Sequence, residues 1–275
     1  MLGIIALDID GTLTADHDLI PIEVADYLKS LSGQGWEILF ITGRTLARTR
    51  RMLGAFKFTY HIAVQNGAQI FEMPSEKRIV KRFLPEGALP EIVALTLDDP
   101  MGVVLYAGDI QKDICYYCPA DFSEELMDYV LRRAETFGEE WKAVDDILRF
   151  ESADFPALKL IGPYPELERV CRKSRLDIPV IRDPFGKGMF VAQGTAPGTN
   201  KGSALENFQR WLDGHQKTIV AGDDRNDLPM LAKADVKVVM ATAPREVLLV
   251  ADIVAPPAAE LGIIEGLEKA IGLTK

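Results

Sequence analysis

Apolar residues in this chain gather into short runs that stop abruptly on polar residues. Ile4 to Leu7 is a four-residue run, the length of a strand buried on both faces, and it ends at Asp8-Ile9-Asp10-Gly11-Thr12. Asp and Gly are poor strand residues, so the strand should end near Asp8. The same design recurs at Glu37–Ile41, which stops on Thr42-Gly43-Arg44, and at His61–Val64, which stops on Gln65-Asn66-Gly67-Ala68. It appears once more at Thr218–Ala221, which stops on Gly222-Asp223-Asp224-Arg225-Asn226-Asp227. Between the first three runs the apolar spacing becomes helical. Ile22, Val24, Ala25, Leu28 and Leu31 follow Pro21, a residue favoured at a first helical position, and a second helix spans Leu46 to Leu53. This β-α-β-α-β rhythm predicts right-handed crossovers and a parallel sheet in an α/β protein.

The rhythm changes between Ile79 and Val191, where strands come in pairs. Strands are expected at Ile79–Phe83, Val103–Tyr106, Ile114–Tyr117, Ile147–Phe150, Leu158–Ile161, Val180–Ile181 and Met189–Val191. Helices are expected at Leu89–Leu97, Ser123–Thr136 and Tyr164–Ser174. Neighbouring strands with short turns read as antiparallel pairs, so residues 79–191 form an α+β insertion that separates core segments 1–78 and 192–275. Pro74 on one side and Gly194, Pro197 and Gly198 on the other suit linkers. The β-α rhythm resumes with a helix from Lys201 to Leu212, the run at Thr218, a helix carrying Leu228, Met230 and Leu231, a strand at Val236–Met240, and closing helices at Pro244–Val250 and Gly262–Ile271.

Composition narrows the function. The net charge of −10 and pI of about 4.9 argue against broad nucleic-acid or anionic-membrane binding, both of which need a basic surface. An anionic substrate stays compatible, because a few local cations and a metal reverse the field inside a cleft. The N-terminus has no basic region ahead of an apolar stretch, and no window approaches a membrane span, so the expected compartment is the cytoplasm. Cys115 and Cys118 lie in a strand-like run without a second pair, which reads as packing rather than metal or redox chemistry. His17, His61 and His215 are scattered.

Asp8 and Asp10 are the candidate chemistry. Two carboxylates this close repel each other unless a cation or a shared proton offsets them. A second acidic cluster at Asp223 to Asp227, also at a strand end, makes an all-oxygen site that suits Mg²⁺ rather than zinc. Thr42, Lys201 and the backbone N–H groups of the Gly turns are candidates to hold an anion. Such a site supports phosphoryl transfer, in which the protein chiefly positions groups and neutralises charge. Taken singly the same residues have plainer readings: Thr42-Gly43-Arg44 a loop, Asn66-Gly67 a turn, Lys201 a solvated lysine opening a helix with Asn200 as its cap.

Asp8-Ile9-Asp10-Gly11-Thr12, Thr42, Lys201 and Gly222-Asp223-Asp224-Arg225-Asn226-Asp227 together resemble the four motifs of the haloacid dehalogenase-like superfamily. The insertion between the Thr and Lys motifs is similar to the type IIB, or Cof-type, cap. The resemblance implies a Rossmann-like parallel-sheet core with an inserted α+β cap domain and the activity of a phosphoric monoester hydrolase. It implies Asp8 as nucleophile, forming an aspartyl-phosphate, and Asp10 as general acid and then base. It implies Mg²⁺ on the Asp8 carboxylate, the Asp10 carbonyl and Asp223, with Asp227 beside them. Phosphoryl oxygens would be gripped by Thr42, Gly43, the Ile9 backbone, Lys201 and Asn226, with Arg44 and Asn66 as further substrate contacts. Asp224 and Arg225 depart from the small residues common there, which leaves open a metal or substrate contact or a surface ion pair.

The second Asp argues against the dehalogenase branch. A phosphomutase is the nearest rival, and a catalytically idle phosphate-binding scaffold is the rival of another class. The insertion should act as a lid, favouring a small phosphomonoester such as a sugar phosphate, with Arg149, Glu151, Arg182, Asp183 and Lys187 as unranked specificity candidates. Oligomeric state is not readable.

Overall fold

The computed structural model describes residues 1–15, 19–54, 56–107, 114–182, 188–214 and 217–274. The chain divides into two compact units, one of Met1–Arg44, Thr49–Lys81 and Asn200–Lys275, the other of Thr45–Arg48 and Arg82–Thr199.

The first unit is built on β1 (Gly3–Leu7), α1 (Ile22–Gly33), β2 (Trp36–Ile41), the later part of α2 (Leu46–Leu53), β3 (Tyr60–Val64), β4 (Gln69–Met73) and β5 (Lys77–Lys81). After the second unit it continues with α6 (Lys201–Trp211), β12 (Thr218–Gly222), α7 (Leu228–Leu231), β13 (Val236–Met240), α8 (Arg245–Leu248), β14 (Ile253–Ala255) and α9 (Gly262–Leu273). Among the described residues eight strands form one sheet in the order β14-β13-β12-β1-β2-β3-β4-β5. Its pairings are parallel except β3–β4 and β4–β5, as the β-α rhythm requires.

From β1 the chain winds outward through β2 and β3, then returns on β1's other side as β12. The gap between β1 and β12 is therefore the point where strand order reverses, the place where open α/β sheets bind ligands. Register places the polar strand ends side by side. Leu7 pairs with both Ala221 and Phe40, and Ile41 pairs with Ala63. One face of this sheet packs Ile4, Ala6, Leu39, Ile41, Val220 and Val239 against Leu205 and Phe208 of α6 and Met230 and Leu231 of α7. Burying each such side chain is worth roughly 1.5–3 kcal/mol, so the strand ends stand on rigid supports.

Two strands of this sheet, β4 and β14, are absent from the sequence reading, and one is relocated. The strand expected at Ile79–Phe83 within the insertion is β5, which pairs with β4 at the edge of the large sheet. Strand propensity marked the segment, but its partner is a tertiary choice.

The second unit comprises α3 (Ala88–Thr96), β6 (Gly102–Ala107), β7 (Ile114–Tyr117), α4 (Glu124–Phe137), β8 (Glu140–Ala143), β9 (Ala157–Gly162), α5 (Tyr164–Lys173), β10 (Val180–Arg182) and β11 (Phe190–Gly194). Its described strands form a sheet ordered β10-β11-β9-β6-β7-β8, antiparallel except for β7–β8, which α4 bridges. The expected antiparallel pairing of β6 with β7 is present, and Ser123 caps α4 by accepting from the Leu126 N–H. The strand expected at Ile147–Phe150 is instead a short helical turn, Ile147–Arg149, because Asp146 accepts from the Leu148 N–H at 2.8 Å. No described helix is long and apolar enough to cross a membrane.

Candidate active site

The turn after β1 is shaped by its own backbone. The Ile9 carbonyl accepts from the N–H groups of Thr12, Leu13 and Thr14, and the Asp8 N–H donates to the Ala221 carbonyl of β12. Gly11 sits at φ +79°, and a Cβ there would lie 2.2 Å from Asp223 Oδ2. A side chain at position 11 would therefore push apart the two acidic loops. Across this close approach the Thr12 hydroxyl donates to Asp223 Oδ1 at 3.1 Å.

Lys201 is the charge at the centre. Asn200 caps α6 by accepting from the Ser203 N–H, and the Ser203 hydroxyl oxygen accepts in return from the Asn200 N–H, so the helix starts at Lys201. The cap reading of Asn200 holds, but Lys201 is not a solvated lysine, being only 1% exposed. Its ammonium donates to Asp8 Oδ1 and to Asp227 Oδ1, each at 2.6 Å. Burial works against that charge, yet Asp227 and Asp8 outweigh it and raise the ammonium above the ordinary lysine value. Asp227, fully buried, spends its other oxygen on the N–H groups of Asp223 and Asp224.

Carboxylate oxygens of Asp8, Asp223 and Asp227 converge within 4.8 Å of one another. One ammonium does not balance three carboxylates. Burial first, then the charges of Asp227 and Asp223, push the Asp8 carboxyl well above its usual range against the pull of Lys201. Burial and Asp227 likewise push Asp223 up to about 6. An all-oxygen cluster with uncompensated negative charge fits Mg²⁺.

Asp10 turns its carboxylate elsewhere. Arg44 Nε donates to Asp10 Oδ2 at 2.8 Å and Arg44 NH2 to Asp10 Oδ1, a two-pronged ion pair from a buried guanidinium to a partly exposed carboxylate. Arg44 is itself fixed, its N–H donating to the Thr42 hydroxyl and its carbonyl accepting from the Gln65 N–H. The Asn66 N–H in turn donates to the Thr42 carbonyl, so the turns after β2 and β3 are tied together. Asn66 Oδ1 faces Gly43, 3.3 Å from where a Cβ at that residue would stand.

The remaining sequence candidates are placed as follows. The Ile9 side chain is buried, and Asn226 stands exposed on the short turn Arg225–Asp227. Asp224 caps that turn by accepting from the Arg225 N–H, and Arg225 pairs with Glu246 at 2.5 Å on the surface, so both have structural partners. In the second unit the Arg149 guanidinium carbon lies 5.2 Å from the Phe150 ring centre, and Glu151 is exposed. Asp183 and Lys187, the Arg182 side chain, and His17 and His215 lie outside the described residues.

Two contacts escaped the sequence reading: the Thr12–Asp223 bond and the Arg44–Asp10 pair. Thr12 lies in the first motif and Arg44 directly after the Thr42-Gly43 turn, but only the folded chain reveals their partners.

A family model described as haloacid dehalogenase-like hydrolase matches residues 5–267. The chain is 26% identical over 271 residues to the 5-amino-6-(5-phospho-D-ribitylamino)uracil phosphatase YcsE of Bacillus subtilis, covering 98% of this chain and 94% of that protein. In fold it is similar to a haloacid dehalogenase-like hydrolase from Bacteroides thetaiotaomicron, with a TM-score of 0.78, 22% identity, and coverage of 98% and 100% of the two chains. It is similar also to the HAD subclass IIB sugar phosphatase BT4131, with a TM-score of 0.77, 22% identity, and coverage of 98% and 99%. With the family match spanning both acidic strand ends and the lysine between them, the chain belongs to the haloacid dehalogenase-like hydrolases.

Proposed function

We propose that this chain is a Mg²⁺-dependent phosphatase that hydrolyses a small phosphomonoester through an aspartyl-phosphate on Asp8. The observation that carries the reading is the buried Lys201 ammonium shared between Asp8 and Asp227, with Asp223 converging on both. This is a fixed, water-poor arrangement that keeps one carboxylate oxygen oriented for attack. Asp8, Asp223 and Asp227, with the Asp10 carbonyl, would hold Mg²⁺, which when bound supplies positive charge to the phosphoryl oxygens.

In the forward step Asp8 forms a bond to phosphorus while the ester oxygen leaves, taking a proton from the Asp10 carboxyl. In the second step Asp10 takes a proton from water, which attacks the aspartyl-phosphate and returns Asp8 with release of inorganic phosphate. Lys201 keeps Asp8 oriented in both steps. Thr42, the Gly43 N–H, the Ile9 backbone and Asn226 are assigned to the phosphoryl oxygens, and Arg44 to Asp10.

The substrate class follows the relatives only by analogy. One is named as the phosphatase of a phosphorylated ribityl compound and one as a sugar phosphatase, which supports a polar, hydroxyl-rich phosphomonoester. The test is phosphate release from p-nitrophenyl phosphate and from a broad panel of phosphorylated metabolites, with Mg²⁺ and after stripping with EDTA. Release in both conditions, or in neither, contradicts the proposal.

A further inference from the structure

The carboxylate of Asp223 is confined at both of its oxygens by the turn after β1. Thr12 is fully buried and donates its one hydroxyl proton to Asp223 Oδ1 at 3.1 Å, across 211 positions of sequence. On the other side Asp223 Oδ2 lies against Gly11, 2.2 Å from where a Cβ at that residue would stand. The Asp223 backbone is held as well, its N–H donating to Asp227 Oδ2 at 2.8 Å. The Thr12 backbone N–H donates to the Ile9 carbonyl at 3.3 Å, so the hydroxyl stands on the same turn that presents Asp8.

A threonine hydroxyl ordinarily finds its acceptor on a neighbouring stretch of backbone. Here the proton goes instead to a carboxylate of a distant loop, in a charge-assisted bond that fixes the orientation of the acceptor. The other two carboxylates of the cluster have the same kind of tether, because Asp8 Oδ1 and Asp227 Oδ1 each accept from Lys201 at 2.6 Å. For Asp223 the side-chain donor is Thr12. Each of the three converging carboxylates therefore has at least one oxygen tied to a donor.

We infer that Thr12 is a positioning residue for the cation site, its hydroxyl holding the Asp223 carboxylate in a fixed orientation that favours Mg²⁺ over Ca²⁺. This rests on the Mg²⁺ site proposed above and deepens it. Groups that orient a metal ligand through a hydrogen bond are typically worth about 10–100-fold in metal affinity. Mg²⁺ demands near-ideal octahedral placement of its ligands, whereas Ca²⁺ accepts flexible ones, so a loosened Asp223 penalises Mg²⁺ more.

The test is calorimetric titration of MgCl₂ and of CaCl₂ into the full chain, stripped with EDTA and dialysed, with no substrate present. Thr12→Val keeps the shape of the side chain and removes the hydroxyl, whereas Thr12→Ser keeps the hydroxyl and removes a methyl group. Thr12→Val should weaken Mg²⁺ binding by about tenfold or more. Its Ca²⁺ binding should change by less than about threefold. Thr12→Ser should bind both ions nearly as wild type does, even where its melting temperature falls further. A purely packing role for Thr12 gives the opposite order, with Ser weaker than Val. Should Thr12→Val not fold, Thr12→Ala carries the same expectation. Unchanged Mg²⁺ affinity without the hydroxyl, equal losses for the two ions, or a Ser variant as weak as Val overturns the assignment and leaves the cation site standing. A wild-type protein that takes up no Mg²⁺ overturns the two together.

Discussion

The two units each bury a cluster of charged groups, and the clusters are built on opposite principles. In the first unit three carboxylates, Asp8, Asp223 and Asp227, converge with one ammonium, Lys201. In the second unit one carboxylate, Glu139, collects the donors. It accepts from the Tyr106 hydroxyl at 2.9 Å and the Trp141 ring N–H at 3.2 Å, and pairs with Arg133 at 3.3 Å. Lys159 completes that cluster with its ammonium 4.1 Å from the centre of the Tyr106 ring. Burial first, then the neighbouring Cys115 and Glu139, hold the Tyr106 hydroxyl well above the usual phenol value, so it stays a donor. A satisfied carboxylate is a structural element, whereas carboxylates in excess of their counter-charge are the kind of cluster that suits a cation. The count of donors against acceptors separates the two, where burial alone does not.

Mutations should break the clusters in different ways. Asp8→Asn should abolish turnover, because an amide does not attack phosphorus, while the melting temperature stays at or above that of wild type through relief of repulsion. Mass spectrometry after quenching should find the phosphoryl group on Asp8 of wild-type protein, and a phosphoryl group on another residue would refute the mechanism. Asp10→Asn keeps the backbone carbonyl but loses proton transfer, which costs about 10²–10⁴ in rate. That loss should shrink for leaving groups that need no proton, as measured along a series of aryl phosphates.

In the second unit the expected effect is on stability. Arg133→Met removes the guanidinium paired with buried Glu139 and should cost about 3–5 kcal/mol in urea unfolding. A loss of less than about 1 kcal/mol would show that the two clusters do not differ as described here.

His61 offers a third case, a buried base with two carboxylates near its ring. Its ring packs on Phe208 and Trp211, with Glu37 Oε2 3.7 Å from Nδ1 and Glu72 opposite it on β4. Burial, partly opposed by Glu72, lowers its pKa to about 4. The unfolded chain therefore takes up the proton first as pH falls. The stability of the neutral form is complete above about pH 6.5, decays between there and about pH 4, and levels off below, a loss on the order of 3 kcal/mol. His61→Leu should lose less stability than wild type between pH 7 and pH 4.5 in paired urea titrations, and parallel losses would contradict a buried neutral imidazole.

The mildest perturbation is the cation itself. Adding Mg²⁺ at about a hundredfold its dissociation constant should raise wild-type stability by about 2.7 kcal/mol, read as a shift in melting temperature. Asp223→Asn should weaken that shift. An identical shift in Asp223→Asn would remove Asp223 from the cation site.

Much of this was legible in the residue order. Short apolar runs stopping on Asp8, Thr42, Asn66 and Asp223 announce a parallel sheet with its chemistry at one end, because strand length, apolar content and strand-breaking residues are local properties. The same locality explains the misses. EWKA of β8 and QIFEM of β4 carry weak patterns and become strands by pairing with neighbours. Residues 79–83 look like a strand wherever they pair, so their place at the edge of the large sheet was invisible. Lys201 is nominated by the sequence to hold an anion, but its ion pair with Asp8, 193 positions away in sequence, appears only in the fold. Arg44 and Asn66 are nominated as substrate contacts, but the Arg44–Asp10 pair and the two left-handed residues in a row at Gln65 and Asn66 appear only in the fold. The sequence by itself determined which residue types stand at the ends of which strands. Only the tertiary structure decided which charges meet, because that depends on register, crossover and burial summed over the whole sheet.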